Sequence, residues 1–566
     1  MSSSVNVTEY LFHRLYQLGI RALHGVPGDF NLHALDYVEK CGLKWVGNAN
    51  ELNAGYATDG YARIKGIGAV VTTFGVGELS LANAIAGSRA ENVSVVHING
   101  APSTHSQNAK QVLHHTFGNG DFKVFQRVFE QLTVAQADLC DPETAPTEID
   151  RVLRECWIQS RPVYIQLPTD MVDKPVDGTS LKRPLDLSYP ENDKEEEDSV
   201  TKIILTKLYE AHRPVLLLDG CIRRSRLISL VDALVQKSKL PTFVTPMSKG
   251  IIDETYPNFA GVYAGDGSFD SVRDYVNNSD CVLSIGGFRS DLNTTGFTVR
   301  IPLDKLIDLH TNFISIHPKR YNLHMRGITQ SLLTELDPTK LKPQELHLTR
   351  TRANIPPAPE TYPIETITHA YLWSALSAWL RPHDILLTET GTSSLGIWDT
   401  VLPAHTTTIS QTLWSSIGYA LPAAQGASLA ARELASKSRV ILFEGDGSFQ
   451  LTAQSISDML RHKLDAIVFV VCNEGYTIER WVHGMEESYN DVWGWRFREV
   501  PWAMGARGDE VRTWRVETRG EMEGLWRDGE FTDGKGLRLV EVKMPKLDAP
   551  ITLKKLGAAA AKTNDN

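Results

Sequence analysis

The residues best suited to chemistry lie between positions 440 and 479. Asp446 offers a carboxylate, Asn473 an amide oxygen and Gly475 a backbone carbonyl that no side chain shields. Hard oxygen donors of this kind, few in number, suit Mg2+, which keeps its other positions for water and phosphate oxygens. A Gly-Asp-Gly sequence alone is usually just a turn. Its pairing with Asn473-Glu-Gly475 one strand later favours a metal site.

A strand, a tight glycine turn, a helix and a second strand would position these groups. The apolar runs 440–443 and 466–471 predict two parallel strands, with a helix-like segment at 451–461 between them. Ligands of open α/β sheets bind at the carboxyl ends of the strands. The turn also suits a diphosphate, because glycine lets the backbone approach closely and a serine hydroxyl can donate a hydrogen bond. The residues of this turn are Gly445, Asp446, Gly447 and Ser448.

A second group of candidates lies in the first 120 residues. Asp29 follows a predicted strand, where a carboxylate ordinarily caps the next helix. Glu51 opens a helix and would ordinarily be a first-turn charge, but its small neighbours predict burial. Burial raises a carboxyl pKa and would make Glu51 a proton donor. His114 and His115 are either a surface pair or two imidazoles that move protons; in a helix they would face apart and bind metal poorly.

Alternating strands and helices predict an α/β fold with three doubly wound parallel-sheet domains. A charged linker at 186–199 and a linker rich in Pro and Thr at 349–363 would separate them. The predicted domains are 1–183, 200–345 and 363–548, followed by a tail at 549–566. Gly265-Asp-Gly-Ser268 repeats the metal motif without an Asn-x-Gly partner, so we interpret it as an unrelated loop. The apolar tail could cover the site or simply end the chain.

Length, composition and charge bound the class of protein. A chain of 566 residues with 42% hydrophobic and 22% charged residues predicts several soluble globular domains. A net charge of -10 without a basic run argues against nucleic-acid binding. The apolar runs are too short to cross a membrane, and the N-terminus does not resemble a signal peptide. Six scattered cysteines predict reduced thiols, so a cytoplasmic enzyme is expected.

Several motifs in order resemble one family. They are Gly25-Val-Pro-Gly-Asp-Phe-Asn31, Gly47-Asn-Ala-Asn-Glu51, Thr72-Thr-Phe-Gly-Val-Gly-Glu-Leu-Ser80 and His114-His115-Thr, together with the diphosphate-and-magnesium motif at 445–475. The chain resembles the thiamine diphosphate-dependent pyruvate decarboxylase family in its fungal branch, from about Glu9 to about Pro550. The resemblance implies thiamine diphosphate and Mg2+ as cofactors. It also implies pyrimidine-binding, middle and diphosphate-binding domains in that order.

The resemblance also assigns roles to residues. Asp446, Asn473 and Gly475 would bind the metal, and Ile478 and Val482 would line the substrate pocket. The implied cofactor-binding residues are Glu51, Thr390, Thr392, Ser415, Ile417, Gly445, Asp446, Gly447, Ser448, Asn473, Gly475, Thr477 and Ile478. Ser415 stands where the family has glycine. Because its backbone carbonyl would make the contact, this departure matters little.

The implied reaction is that of a carbon-carbon lyase, which decarboxylates pyruvate to acetaldehyde and CO2 through a thiamine C2 carbanion and an enamine. Glu51 would hydrogen-bond the aminopyrimidine, and Ile417 would hold the cofactor bent so that its deprotonation is intramolecular. Carboxylate recognition, protonation and aldehyde release would fall to Asp29, His114, His115 and Glu479. Taken alone, Glu479 would be a surface charge.

Regulation and assembly follow from the same resemblance. Cys221 matches a cysteine associated with substrate activation, with Glu91 and Trp414 on the route to the active site. Asn92 replaces the family's histidine and cannot titrate, and Arg89 replaces a tyrosine; the first change argues against a proton-coupled relay. The family's thiamine bridges two subunits, so a dimer is the minimum active unit and a tetramer is expected.

Three alternatives stay open. A decarboxylase of larger 2-oxo acids, such as indolepyruvate or phenylpyruvate, differs little, because Val482 in place of isoleucine is worth only about 1–3 kcal/mol. A carboligase of the acetolactate synthase type would lack the His-His pair and Glu479. A thiamine-sensing paralogue without turnover would show damage among the five catalytic candidates, and the sequence shows none.

Overall fold

Three sheets, one in each third of the chain, organise the computed structural model, which describes residues 4–342, 344, 346 and 362–564. Helices separate the strands, so the predicted α/β class with three domains is confirmed. Most of the linker predicted at 349–363 lies outside the described residues. No helix within the described ranges has both the length and the apolar character needed to cross a membrane.

The N-terminal sheet has six parallel strands in the order β3-β2-β4-β5-β7-β6, and β1 pairs with β8 apart from it. Its central strands are buried and rich in Val and Ile, as a sheet covered on both faces requires. The elements are β1 Ser4–Asn6, α1 Val7–Gln17, β2 Ala22–Gly25, α2 Leu32–Leu35, β3 Lys44–Gly47, α3 Glu51–Lys65, β4 Gly68–Thr73, α4 Val76–Ala90, β5 Val95–Ala101, α5 Thr104–Asn108, α6 Val124–Leu132, β6 Gln136–Asp138, α7 Ala145–Gln159, β7 Val163–Pro168 and β8 Pro175–Asp177.

The middle sheet has seven strands in the order β11-β10-β9-β12-β13-β14-β15. Strand β14 runs antiparallel to both of its neighbours, β13 and β15. This sheet is therefore mixed at one edge rather than fully parallel as predicted. The elements are α8 Lys194–Glu210, β9 Pro214–Leu218, α9 Cys221–Arg224, α10 Ile228–Ser238, β10 Thr242–Val244, β11 Phe259–Val262, α11 Asp270–Asn277, β12 Cys281–Ile285, β13 Leu306–Leu309, β14 Ile314–Ile316, β15 Lys319–Tyr321 and α12 Met325–Glu335.

The C-terminal sheet has six parallel strands in the order β17-β16-β18-β19-β21-β20. The two predicted strands of the metal motif, β18 and β19, are neighbours in it. The elements are α13 His369–Trp379, β16 Ile385–Thr388, α14 Thr392–Gly396, β17 Thr407–Ile409, α15 Ala420–Glu433, β18 Val440–Gly445, α16 Asp446–Thr452, α17 Ser455–Arg461, β19 Ala466–Cys472, α18 Thr477–Val482, α19 Val500–Ala503, β20 Val511–Val516, α20 Arg519–Arg527, α21 Gly529–Asp533, β21 Leu537–Lys543 and α22 Ile551–Asn564.

The N-terminal and C-terminal domains meet where α3 crosses α15. The two helices approach closely enough that a Cβ built on Gly426 would lie 1.8 Å from the carbonyl oxygen of Ala57. A Cβ built on Gly60 would lie 2.1 Å from the carbonyl oxygen of Ala423. Each helix therefore needs a glycine where the other presents its backbone. This contact fixes the start of α3, which bears Glu51, relative to the C-terminal sheet.

Two local predictions were wrong. The charged segment 186–199 is not a linker throughout, because α8 begins at Lys194 with the Asp193 side chain accepting from the Glu196 amide at 2.9 Å. Acidic residues in a first turn favour the helix dipole, so a charge run can start a helix. The helix predicted at 451–461 is two helices, α16 and α17, and α16 begins earlier, at Asp446.

Candidate active site

The metal motif forms at the carboxyl ends of β18 and β19. Asp446 is buried, and its Oδ2 accepts hydrogen bonds from the amides of Asn473 at 3.1 Å and Glu474 at 2.8 Å. Burial raises the pKa of Asp446 to about 6, against the lowering effect of these amides. The Asn473 side-chain nitrogen donates to Thr477 Oγ1 at 2.8 Å, so its Oδ1 remains as the atom that could bind a cation. The donor set is that of a hard cation.

The space around this turn suits a phosphate-bearing ligand. Gly475 has φ 129°, and a Cβ there would collide with the Asn490 carbonyl, so only glycine fits. By contrast, a Cβ built on Gly445 would meet nothing closer than Ser448 Oγ at 3.7 Å. On the loop after β16, the buried Thr390 Oγ1 has no hydrogen-bond partner among the described residues. These groups fit Mg2+ and a diphosphate.

Two predicted cofactor segments come from other loops of the same domain. Thr392 begins the short helix α14 after β16. A Cβ built on Gly391, the residue before it, would lie 4.0 Å from Ile478 Cγ2. Ser415 has φ 53°, the left-handed region that favours the glycine expected there. Ile417 is half-buried and follows directly.

The Glu91 carboxylate holds the segment before Ser415. Its Oε1 accepts from the amides of Thr412, Leu413 and Trp414 at 2.8, 2.7 and 3.2 Å. The Trp414 indole donates to Asn83 Oδ1 on α4 at 2.9 Å, although its side chain is 41% exposed. The N-terminal domain thus positions the loop that bears Ile417.

Helix α18 bears the predicted substrate-side residues. Thr477, Ile478, Glu479 and Val482 all lie on it; Thr477 is buried, Ile478 is half-buried, and Glu479 and Val482 are exposed. The C-terminal helix α22 packs on α18, where the Gly557 backbone meets the carbonyl of Trp481. The tail therefore covers α18, which the sequence left undecided.

The N-terminal candidates converge at the carboxyl end of β2. His114 Nε2 lies 2.6 Å from Asp29 Oδ2, and the His114 and His115 rings are 4.7 Å apart. The His114 ring stacks on Phe30 at 5.0 Å. The pair lies in a turn, with His115 at φ 61°, so the objection that helical histidines face apart does not hold. The ligand atoms of Asp29, His114 and His115 lie within 4.8 Å of one another.

The glycine turn between β4 and α4 contacts both Glu51 and His115. A Cβ built on Gly77 would lie 3.0 Å from Glu51 Oε1, and one on Gly75, at φ 66°, would collide with the His115 carbonyl. Glu51 is half-buried at the start of α3, and desolvation raises its pKa, as predicted for a proton donor. The turn brings these residues into one neighbourhood. Among the described residues, no hydrogen bond or ion pair joins Asp29, Glu51, His114 or His115 to Asp446, Asn473 or Glu479.

The predicted regulatory cysteine lies apart from both groups. Cys221 is buried at the start of α9, and burial raises the pKa of its thiol to about 11. It lines a cavity of about 410 Å3 between the first two domains, together with Asn92 and His310. Asn92 Oδ1 accepts a hydrogen bond from Arg161 Nε at 2.7 Å. At this position the chain therefore has a hydrogen-bond acceptor that does not titrate.

Sequence reasoning missed three buried carboxyl groups. Glu78 is fully buried; its Oε1 accepts from the Gly75 amide at 2.8 Å and its Oε2 from the Tyr164 hydroxyl at 3.0 Å. Burial raises its pKa to about 7. Glu389 and Glu444 lie side by side at the ends of β16 and β18, and burial raises both pKa values. The spacing Gly75-x-x-Glu78 is a capping pattern and could have revealed the first.

Comparisons with known proteins cover almost the whole chain. Three thiamine pyrophosphate enzyme family models match: the N-terminal TPP binding domain at residues 5–125, the central domain at 201–336 and the C-terminal TPP binding domain at 389–542. The chain is 51% identical over 561 residues to a pyruvate decarboxylase of Aspergillus fumigatus, covering 99% of this chain and 98% of the relative. Pyruvate decarboxylases of Kluyveromyces lactis and Saccharomyces cerevisiae (isozyme 1) are 43% and 42% identical, each with 99% of both chains covered.

Proposed function

The chain belongs to the thiamine pyrophosphate enzyme family, and we propose that it is a pyruvate decarboxylase, which releases CO2 from pyruvate and leaves acetaldehyde. The observation that carries this proposal is the full-length similarity to proteins named pyruvate decarboxylase at about half identity. Its cofactor is thiamine diphosphate. When bound, thiamine diphosphate supplies the nucleophilic carbon and the electron sink that decarboxylation of a 2-oxo acid needs.

Residues of the C-terminal half would hold the cofactor. Asp446, the Asn473 amide oxygen and the Gly475 carbonyl would bind Mg2+, and the open turn at Gly445 would leave room for the diphosphate. Thr390 Oγ1 would donate to a phosphate oxygen, which would satisfy its missing partner. Ile417 would press between the two rings of the cofactor.

Residues of the N-terminal half would handle protons. Glu51 holds its proton more tightly than an exposed glutamate does and would share it with a ring nitrogen of the cofactor. Asp29 and His114, 2.6 Å apart, would supply a proton to the product side, with His115 beside them. Glu479 and Ile478 on α18 would face the substrate, with Val482 at the edge of the pocket.

Among the described residues, no hydrogen bond or ion pair joins Asp29, Glu51 or the two histidines to the metal-binding candidates, and we therefore assign the complete site to a dimer. Exposed apolar side chains support this assignment. They are Val76 and Leu79 on α4, Leu413 and Trp414 on the loop between β17 and α15, and Leu451 on α16. Large apolar side chains that stay exposed in one chain are candidates for an interface. A tetramer would then be a pair of such dimers. The six free cysteines support a cytoplasmic location.

A complementation experiment tests the shared site. Glu51→Gln and Asp446→Asn should each be nearly inactive with pyruvate. Co-expressed, they should recover about a quarter of wild-type activity, because half of the dimers are mixed and each mixed dimer has one intact site. Each variant co-expressed with itself is the control. If each chain held a complete site of its own, mixing would restore nothing.

Steady-state kinetics tests the substrate. Turnover of pyruvate should exceed that of phenylpyruvate in kcat/KM, measured through the aldehyde formed. A clear preference for phenylpyruvate would instead support a decarboxylase of larger 2-oxo acids. Cofactor binding without aldehyde from either substrate would indicate a sensing protein without turnover.

A further inference from the structure

The loop between β19 and α18 has a backbone conformation that its surroundings must hold. Glu474 has φ 65° and Gly475 has φ 129°, both in the left-handed region that favours glycine. A glutamate keeps such a conformation only when neighbouring groups fix it. Asp446 fixes one side of the loop through the amides of Asn473 and Glu474. We call residues 473–476 the metal loop, and its other side has a second anchor.

The second anchor is the segment around Asp491. Gly475 and Asp491 form an antiparallel bridge, and the Tyr476 amide donates to the Asn490 carbonyl at 2.9 Å. A Cβ built on Gly475 would lie 2.1 Å from that same carbonyl oxygen, so the two backbones are in contact. The position of Gly475 therefore depends on where the Asp491 segment lies.

A buried arginine joins the Asp491 segment to the metal loop. The Arg480 side chain is 0% exposed, and its Nη2 donates to Asp491 Oδ1 and, at 3.4 Å, to the Glu474 carbonyl. Its Nη1 donates to the Met485 carbonyl at 3.1 Å. A buried guanidinium is stable only when it is paired and hydrogen-bonded. These contacts therefore fix the metal loop and Asp491 relative to each other.

Lys546, three residues beyond β21, contributes to the orientation of two candidate metal ligands. Its Nζ donates to Asp491 Oδ1 at 2.8 Å, which adds a second cation to the anchor beside Gly475. Its backbone carbonyl accepts from Thr477 Oγ1 at 2.9 Å. Thr477 Oγ1 in turn accepts from the Asn473 side-chain nitrogen at 2.8 Å, which leaves Asn473 Oδ1 for a cation. The groups around the metal loop thus form one connected set.

We propose that Arg480 and Asp491 are positioning residues for the metal, which set the affinity for Mg2+ through the metal loop and not as ligands. The inference rests on the proposed function, in which Asp446, Asn473 and Gly475 bind Mg2+. Groups that orient metal ligands from outside the coordination shell change metal affinity by about 10- to 100-fold. Loss of the Arg480–Asp491 pair would free the Asp491 segment and with it the Gly475 backbone.

Mg2+ affinity should be measured by isothermal titration calorimetry on full-length enzyme freed of metal, at saturating thiamine diphosphate. Arg480→Met keeps the length of the side chain but removes its charge and donors, so it should bind Mg2+ about 10- to 100-fold more weakly. Arg480→Lys keeps the charge and should recover much of the affinity. At saturating Mg2+, kcat of Arg480→Met with pyruvate should return close to the wild-type value, because the filled site has the same ligands.

Asp491→Asn tests the same anchor from outside α18. It weakens the partner of Arg480 without changing the helix that bears Glu479, and it should also bind Mg2+ roughly 10-fold more weakly. This variant decides the question if Arg480→Met does not fold. A kcat that stays low in both variants at saturating Mg2+ would overturn the positioning role, because the damage would then lie outside metal binding.

Arg439→Met is the matched control for a purely structural effect. Arg439 forms a buried ion pair with Asp384 in the same domain, and the two side chains are 9% and 2% exposed. This pair lies just before β18 and β16, at the opposite end of the sheet from the metal loop. Arg439→Met should lower the unfolding midpoint and leave Mg2+ affinity unchanged. If it weakens Mg2+ binding as much as Arg480→Met does, the positioning role is overturned.

Asp446→Asn separates this inference from the proposed function. The substitution removes a proposed ligand and should abolish Mg2+ binding. If Asp446→Asn loses Mg2+ while Arg480→Met and Asp491→Asn bind it as tightly as the wild type, the positioning role is wrong and the metal site stands. If all three variants bind Mg2+ normally, the metal site itself is wrong, and the positioning role is overturned with it.

Discussion

Replacing Gly426 with alanine should push α15 away from α3, where the N-terminal and C-terminal domains of one chain meet. The new methyl group would start 1.8 Å from the Ala57 carbonyl oxygen and 2.9 Å from the Tyr61 amide nitrogen, both backbone atoms of α3. Backbone atoms in the middle of a helix cannot rotate away as a side-chain tip can. To reach an ordinary contact of about 3.5 Å, the two helices must move apart by more than about 1.5 Å.

Such a movement is costly because the α3–α15 contact is lined with small buried residues. Ala54 and Ala57 on α3 and Ala423, Ala424 and Ala427 on α15 are almost completely buried, so a gap between the helices leaves them unpacked. Overpacking a core costs about 1–3 kcal/mol, and we expect the upper end here because no neighbour can yield. At about 3 kcal/mol, the unfolding midpoint should fall by roughly 5–10 °C.

The assay compares thermal unfolding of the wild type, Gly426→Ala and a matched control. Gly524→Ala is that control, because Gly524 also lies in a helix but a Cβ there meets nothing within 4 Å. Its midpoint should stay unchanged or rise slightly, since alanine favours helix by up to about 1 kcal/mol. Gly60→Ala, on the opposite helix, should behave like Gly426→Ala. A Gly426→Ala midpoint within 1–2 °C of the wild type, an interval of about 1 kcal/mol or less, would refute the reasoning.

Two further predictions concern a buried carboxyl and the C-terminal helix. Burial raises the pKa of Glu78 to about 7 from 4.5, so the folded protein keeps a proton there that the unfolded chain loses, and stability falls as pH rises through this interval. Between pH 5 and pH 8, Glu78→Gln should therefore lose less free energy of unfolding than the wild type does, by roughly 3 kcal/mol at most. Parallel plots of stability against pH for the two proteins would contradict this. Gly557→Val should lower kcat/KM for pyruvate, because its side chain would push α22 off the Trp481 carbonyl and loosen α18, whereas Gly494→Ala, in open space, should not. Wild-type kinetics for the Gly557 variant would show that α18 does not need α22.

The sequence was sufficient to predict that Asp446 and Asn473 lie close together, because strand order there follows chain order. β18 and β19 are consecutive and adjacent, so residues just after each strand must meet at one edge of the sheet. Asp446 and Asn473 accordingly share a hydrogen bond of 3.1 Å. The approach of Asp29 to His114 could not be predicted from local patterns, because 85 residues separate them and no periodic pattern relates them. Only the family resemblance placed these two side chains together.

Other features depend on backbone geometry or register that composition does not show. The left-handed φ of His115 places the histidine pair in a turn, where the two rings come together. Glu389 and Glu444 become neighbours because β16 and β18 pair with Thr388 opposite Phe443, which places the next residues of both strands side by side. A glutamate inside an apolar strand was visible in the sequence, but its partner was fixed by strand order in the folded sheet. The start of α8 depended on a capping side chain within a charge run.

Burial raises the pKa of both Glu51 and Glu78, yet only one of them can exchange a proton with a bound molecule. Glu78 is 0% exposed, and both of its oxygens already accept hydrogen bonds within the N-terminal domain. Its proton therefore affects stability alone. Glu51 is half-buried at the open edge of the sheet, beside a glycine that adds no side chain to block it. The same desolvation thus makes one carboxyl a structural cost, whereas the other would, in the function that we propose, donate its proton to a ligand.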